Sequence, residues 1–255
     1  MTLRKLTSTR EYLGDRAPIT EAVINLRLAD TQQPSIERLS QFAESLRDQY
    51  PKQFVQRQMS GELTIEPHKE RTSMSSQHRT IGYALVSEDG RNVVQARRDG
   101  FSFSRLRPYT SWEQVQRDVA GCLASYTRAV EAVLVEQVSL RYINHIKLPA
   151  GKIALDEWFS LRPILPWPEV LMDDFVMRTE IPHPDDPKFV AIVTLGVLPK
   201  HEEETTTYLL DIDTRAKVDP GAAGDVWGVL NDLRELKNDM FFGTLTEKTI
   251  GRLRS

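Results

Sequence analysis

Apolar and polar side chains alternate along residues 19 to 28 (ITEAVINLRL): Ala22, Ile24, Leu26 and Leu28 fall on one side, Glu21, Asn25 and Arg27 on the other. A period of two predicts a half-buried strand. The period then lengthens. Pro34 suits a first helical turn, and Ile36, Leu39, Ala43, Leu46 and Tyr50 recur at steps of three and four until Pro51, which predicts an amphipathic helix. Alternation returns around residues 54 to 66, 81 to 87, 92 to 98 and 101 to 106. Asp89-Gly90 and Asp99-Gly100 between the later segments are hairpin turn signals, so these segments read as an antiparallel meander. Ser111 with Gln114 has the spacing of a capping box, ahead of a helical stripe of Trp112, Val115, Val119, Cys122, Tyr126 and Val130.

The order begins again at residue 135. Residues 135 to 148 (VEQVSLRYINHIKL) alternate as a strand, with Val138, Leu140, Tyr142, Ile146 and Leu148 on the apolar side. Residues 153 to 160 suit a short helix carrying Trp158 and Phe159, and the proline-rich LRPILPWPEV after it reads as a loop. Strands are expected at residues 174 to 182, 188 to 198 and 205 to 215, and Asp219-Pro220-Gly221 reads as a turn. Asp225 is placed to cap a closing helix with the stripe Val226, Val229, Leu233, Leu236 and Met240, Gly243 is placed to end it, and a last short helix starts near Thr246.

Residues 1 to 134, with a polar leader, and residues 135 to 255 thus each spell strand, helix, three or four antiparallel strands, helix. We read an α+β fold made of two tandem copies of that unit, joined in one continuous body. The echo of Ile24-Asn25-Leu26-Arg27 in Val138-Ser139-Leu140-Arg141 agrees with the order of elements. Helices with one apolar stripe cover one face of a curved antiparallel sheet and leave the other face open. This order is similar to the saddle of the TATA-binding-protein-like fold, in which two units join edge to edge. Such a likeness concerns architecture and carries no function.

Composition narrows the setting. The 255 residues are 40% hydrophobic and 27% charged, with mean hydropathy -0.40, the profile of a soluble globular chain. No apolar run approaches the ~18 residues that cross a bilayer. The N-terminal residues lack the apolar stretch of a secretory signal, and Cys122 is the only cysteine, so a reducing cytoplasm is expected. The net charge of -3 gives no global attraction to nucleic acid or anionic lipid. Its distribution is uneven: 19 basic against 16 acidic residues up to residue 135, and 14 against 20 beyond it.

Three segments occur in one order: Ala17-Pro18-Ile19-Thr20-Glu21-Ala22-Val23, Ser104-Arg105-Leu106-Arg107-Pro108-Tyr109-Thr110-Ser111-Trp112-Glu113 and Leu140-Arg141-Tyr142-Ile143-Asn144. Together with Met240-Phe241-Phe242 and Leu245-Thr246-Glu247 they resemble a family of sporadically distributed bacterial and archaeal proteins of about this length. The resemblance spans nearly the whole chain. It implies no reaction and no catalytic residues, and sporadic occurrence is consistent with an accessory or host-defence role.

Candidate chemistry lies first on the polar sides of the two opening strands. Arg27 and Arg141 occupy equivalent positions there, near Asn25, Glu21, Ser139 and His145. If the strands lie together, the two arginines could clamp a carboxylate or phosphate through bidentate hydrogen bonds. The plainer alternative is a solvated face with internal ion pairs, Glu21 being an available partner. A second candidate is Arg91, Arg97, Arg98, Arg105 and Arg107, opposed within their segment only by Asp99. Arginines interleaved with Tyr109 and Trp112 could track a nucleic-acid backbone, although Trp112 also heads a core stripe and the pI of 6.0 lacks the usual basic footprint. Asn144 falls on an apolar side beside Tyr142, where an unpaired amide would cost about 1–3 kcal/mol, so structural bracing is expected of it, as of Trp112 and Tyr142.

Other chemistry finds little support. Asp211 and Asp213 share a strand side but are too few to hold a divalent cation. The histidines His68, His78, His145, His183 and His201 show no paired metal spacing. Cys122 sits within a helical stripe, as a small buried hydrophobe does. With no nucleophile elbow, phosphate-binding glycine loop or dinucleotide fingerprint, no catalytic residue, metal or cofactor is expected. Three functions remain: a non-catalytic module that engages a protein partner or a small anionic ligand through an open sheet face, a nucleic-acid binder acting through residues 91 to 107, and an enzyme of unrecognised class using the Arg27, Arg141 and His145 face.

Overall fold

The computed structural model describes residues 16–29, 33–66, 71–130, 134–151, 154–164, 174–199, 204–218 and 225–254. The strands are β1 (Ile19–Leu28), β2 (Lys52–Glu66), β3 (Arg71–Val86), β4 (Asn92–Arg97), β5 (Gly100–Leu106), β6 (Val135–Pro149), β7 (Val176–Pro182), β8 (Phe189–Val197) and β9 (Thr205–Lys217). The helices are α1 (Ile36–Ser45), α2 (Trp112–Val130), α3 (Val226–Thr244) and α4 (Glu247–Arg254). The strands form one 9-stranded sheet in the order β2-β3-β4-β5-β1-β6-β9-β8-β7. Every neighbouring pair is antiparallel. The chain is therefore α+β.

The two opening strands meet at the centre of this sheet. Asn25 of β1 lies opposite Ser139 of β6, with Leu26 opposite Val138 and Ile24 opposite Leu140. Each then has as its other neighbour the last strand of its own half, β5 beside β1 and β9 beside β6. Hairpins need only short turns, so each meander runs inward in sequence order, from an edge of the sheet to the central pair.

Alternation decides what is buried. Ala22, Ile24, Leu26 and Leu28 of β1 and Val138, Leu140 and Tyr142 of β6 are buried in one cluster. That cluster also takes Leu39 and Phe42 of α1, the α2 stripe from Trp112 to Val130, and Leu230, Leu233 and Leu236 of α3. A second cluster joins Ile146 and Leu148 of β6 to Val193, Leu195, Leu210, Ile212, Phe241 and Ile250. The other sides of the central strands carry the half-buried Val23 and Asn25 and the exposed Arg27 and Arg141.

Several elements differ from their sequence patterns. Ser35 caps α1, its hydroxyl accepting from the Arg38 amide at 3.4 Å, but the helix stops at Ser45. Leu46 and Tyr50 are buried beyond its end. At α2 only half of the capping box forms: Ser111 Oγ accepts from the Gln114 amide at 3.2 Å, while the Gln114 side chain turns forward to Asp118 at 2.6 Å. β3 starts at Arg71, well before the alternation at residue 81. The helix expected at 153 to 160 is a single 3-10 turn, Leu155–Glu157, and the buried Phe159 instead bridges to Leu245. Asp225 caps α3 by accepting from Gly228 at 2.8 Å, and the helix runs through Gly243 to Thr244. Most of the proline-rich loop, the Asp-Pro-Gly turn, His68 and His201 lie outside the described residues. Among the described residues no helix is long and apolar enough to cross a membrane.

Candidate functional site

The expected arginine clamp does not form. Antiparallel pairing about Asn25 and Ser139 places Arg27 opposite Gln137 and Arg141 opposite Val23, so the two arginines share a side but lie toward opposite ends. Four residues of strand separate them, about 13 Å at ~3.3 Å per residue. Each also has its own carboxylate. Arg27 Nε meets Glu136 at 2.6 Å. Arg141 binds Asp211 with both forks, Nε to Oδ1 at 2.8 Å and Nη2 to Oδ2 at 2.5 Å. Glu21 lies opposite Leu106 and Ile143, and neither of those ion pairs uses it.

The arginines of residues 91 to 107 are divided as well. Arg91 pairs with Asp89 at 3.7 Å and Arg97 with Asp99 at 3.0 Å. Arg98 is half-buried. Arg105 points to the core side, buried against Asn92 at 2.9 Å and Asp118 of α2 at 3.3 Å. Strand alternation sends neighbouring positions to opposite faces, so these side chains make no continuous track. Arg107 leaves the segment altogether.

Arg107 turns into a cleft of about 780 Å³ at the end of the central strand pair. Its basic side chains are Arg16, Arg107, His145, Lys147 and Arg252, and none of its described lining residues is acidic. Pro18, Ile19, Pro108, Tyr109 and Leu253 supply apolar wall. The volume lies within the ~300–1,000 Å³ range of ligand pockets.

Backbone pairing builds this cleft. The His145 amide donates to the Pro18 carbonyl at 2.9 Å and the Arg107 amide to Thr20 at 3.1 Å, which draws the start of β1 between the end of β5 and β6. The Thr20 hydroxyl donates to the Ile143 carbonyl at 3.0 Å. The Arg107-Pro108 bond is cis. Because His145 and Lys147 are two residues apart on β6, both face the cleft. α4 closes it, with Arg252 Nε donating to the Lys147 carbonyl at 3.1 Å.

The arginines are anchored by backbone carbonyls. Arg107 Nε donates to the Ile19 carbonyl at 3.4 Å, and Arg16 donates through Nη1 to the Arg254 carbonyl. A carbonyl fixes a guanidinium without cancelling its charge. Burial, and then the charge of Arg107, hold His145 below the ordinary histidine value, so at neutral pH its imidazole is uncharged.

The braces beside the cleft are well connected. Asn144 is 1% exposed, and its Nδ2 donates to Leu210 O at 2.9 Å and Tyr142 O at 3.2 Å. The Tyr142 hydroxyl is 3.1 Å from that of Tyr109, and Lys237 Nζ lies 4.1 Å from the Tyr142 ring centre. Trp112 Nε1 donates to Asn231 of α3 at 3.1 Å, linking the helices of the two halves.

Sequence reasoning separated the cleft residues. It placed His145 with Arg27 and Arg107 with a nucleic-acid track, and it missed Arg16, Lys147 and Arg252. The available signal was the His145-x-Lys147 spacing, which puts two basic groups on one side of a strand. Among the described residues no group of three or more His, Cys, Asp or Glu could hold a metal ion.

No family model matches the chain. No curated protein matches it either. Among solved structures, the crystal structure of the di-domain ARO/CYC StfQ from the steffimycin biosynthetic pathway aligns at 9% identity over 92% of this chain and 96% of that one, with a TM-score of 0.18. A likeness this slight carries no argument about function.

Proposed function

We propose that this chain is a non-catalytic binding protein, formed by duplication of a strand-helix-meander-helix unit, and that it holds an anionic ligand in the cleft beside Arg107 and His145. The observation that carries the reading is the cleft wall, where Arg16, Arg107, Lys147, Arg252 and His145 converge with no acidic residue among the described lining. Basic groups that enter one concave site from several elements can meet an anion with several donors at once. The ligand site thus moves from the middle of the sheet to its rim.

Duplication is supported by the register. The shift that carries Asn25 onto Ser139 also carries Arg27 onto Arg141, and Asn25 and Ser139 lie opposite one another as residues on a local two-fold axis would. Two such units joined by their first strands give the saddle arrangement. The family resemblance belongs to the same reading, since Ala17, Pro18 and Ile19 of its first segment and Arg107, Pro108 and Tyr109 of its second all line the cleft.

Thermal unfolding with a panel of anions tests the site. Sulfate, phosphate, citrate, diphosphate and nucleotides would be compared on the wild type, Arg107→Glu and Arg27→Glu. A ligand that binds only the native state raises the melting temperature. We expect at least one anion to do so for the wild type and Arg27→Glu but not for Arg107→Glu. No stabilisation by any of them, or stabilisation that survives Arg107→Glu, overturns the reading.

A further inference from the structure

We propose that the open edge of β7 is a self-pairing surface, on which a second copy of this chain docks antiparallel about a two-fold axis at Thr179. β7 ends the sheet, and among the described residues only β8 pairs with it. Two bonds fix the direction of its backbone: the Val197 amide donates to the Phe175 carbonyl at 3.1 Å, and the His183 amide to the Phe189 carbonyl at 2.8 Å. The register between them is unbroken, so residues 177, 179 and 181 also turn their backbone groups toward β8. Val176, Arg178, Glu180 and Pro182 turn theirs to the open side.

An open edge is a template for another strand. The sequence of β7, VMRTEIP, is complementary to itself when reversed about Thr179. Outward backbone groups must face outward groups, which leaves few registers. With the axis at Thr179, Arg178 of one copy lies opposite Glu180 of the other, and the pair forms twice. With the axis at Arg178 or at Glu180, like charges would stand directly opposite one another, which destabilises a ladder. Arg178 and Glu180 are both exposed, and neither is held by an ion pair or side-chain hydrogen bond among the described residues.

The core side of the strand agrees with the same axis. Met177 and Ile181 pack at the margin of the second core cluster. The axis sets Met177 of one copy opposite Ile181 of the other, so the apolar layer continues across the junction. Thr179 meets its own copy as a non-hydrogen-bonded pair, where side chains stand closest and two threonines interact favourably. Val176, 75% exposed, comes opposite Pro182. Pro182 has no amide proton to give, and its carbonyl still accepts from Val176 of the second copy.

The opposite edge suits a second copy less well. β2 carries the exposed Phe54, Val55 and Met59, but its register is broken between Gln56 and Arg57. Such a break bends a strand and protects an edge from pairing. β7 is separated from β6 by β9 and β8, so this surface is distinct from the anion cleft and either can fail alone. A symmetric contact made by one seven-residue strand is small, and the dimer it forms exchanges with monomer.

Sedimentation velocity of the full chain from about 1 to about 200 μM tests the pairing, and dimer should accumulate across that range. Arg178→Glu and Glu180→Arg should each weaken self-association by at least about tenfold, because each sets like charges opposite one another. Mixing the two variants should restore the dimer, since every facing pair then has opposite signs. Both sites are exposed, and unchanged thermal unfolding shows that the variants fold. Thr179→Cys should cross-link to its own copy under mild oxidation, because a non-hydrogen-bonded pair holds its Cα atoms about 4.5 Å apart, within disulfide reach. Cys122 is buried and does not compete. A chain that stays monomeric throughout the range overturns the proposal. So does a dimer that neither charge variant weakens, one that mixing the variants fails to restore, or one that Thr179→Cys fails to cross-link. A dimer abolished by Met59→Lys instead belongs to the β2 edge and also overturns it.

Discussion

Asn25 of β1 and Ser139 of β6 face one another across the central strand pair, and two residues outward from them stand Arg27 on one strand and Arg141 on the other. The pairing is antiparallel, so two steps outward run in opposite directions. This one relationship places the arginines on the same side of the sheet and keeps them apart. Their ion pairs differ in environment: the Arg27 and Glu136 side chains are 56% and 35% exposed, whereas Asp211, the carboxylate that Arg141 binds, is 12% exposed.

Removing the two arginines should therefore have unequal effects. Arg27→Ala breaks a solvent-screened pair and should change stability by no more than about 0.5 kcal/mol. Arg141→Met leaves the Asp211 carboxylate largely buried without its bidentate partner and should cost about 1–3 kcal/mol. Adding Asp211→Asn to Arg141→Met removes the stranded charge and should recover part of the loss. Urea denaturation of the wild type and the three variants measures this, and equal effects of Arg27→Ala and Arg141→Met would contradict it.

Asn144 braces β6 against β9 from the core side. Its Nδ2 donates to the Leu210 and Tyr142 carbonyls, inside a layer that is mostly apolar. Asn144→Leu removes both donors and puts a branched side chain where a planar amide lies. Chemical denaturation should show a loss of about 1–3 kcal/mol. A stabilised Asn144→Leu variant would mean that the layer gains more from apolar packing than from those bonds.

The central strands and long helices were legible because one face of each is buried and the period shows it. Val138, Leu140 and Tyr142 could be assigned to a core from spacing alone. The upstream part of β3 could not, because Arg71-Thr72-Ser73 through Ser75-Ser76-Gln77 is polar on both sides and its strand state comes from pairing with β2. Position 153 to 160 failed for a different reason: Trp158 and Phe159 are buried through a 3-10 turn and a bridge to Leu245, which local periodicity does not encode. The cleft was the least legible feature. Arg16, Arg107, His145 and Arg252 come from the two ends and the middle of the chain, and only the strand order brings them to one rim.

Cys122 packs within the α2 stripe, 1% exposed, with its sulfur 3.2 Å from the Tyr50 hydroxyl. Burial pushes its thiol above the ordinary cysteine value, so the native protein holds it as the unreactive thiol. A thiol-specific reagent at neutral pH should label it only as fast as the chain unfolds, and fully in denaturant. Rapid labelling of the folded chain would show that the α1 and α2 packing opens locally.

His145 makes acid conditions act on the cleft in two opposed ways. Its folded value is lowered, by burial first and then by Arg107, from the 6.5 it has when unperturbed. The unfolded chain therefore binds the proton more readily, and native stability falls as pH drops below about 6.5 toward the lowered value. An anion in the cleft reverses the sign, because it favours the imidazolium and the complex takes up a proton on forming. The other basic groups lining the cleft are Arg16, Arg107, Lys147 and Arg252. Sulfate keeps a constant charge here, so its affinity should rise as pH falls from neutral, by up to about tenfold, and should stay flat in His145→Gln. Without ligand, His145→Gln should also lose less stability than the wild type over the same acid range. If sulfate binds the wild type with no dependence on pH, His145 does not face the bound anion.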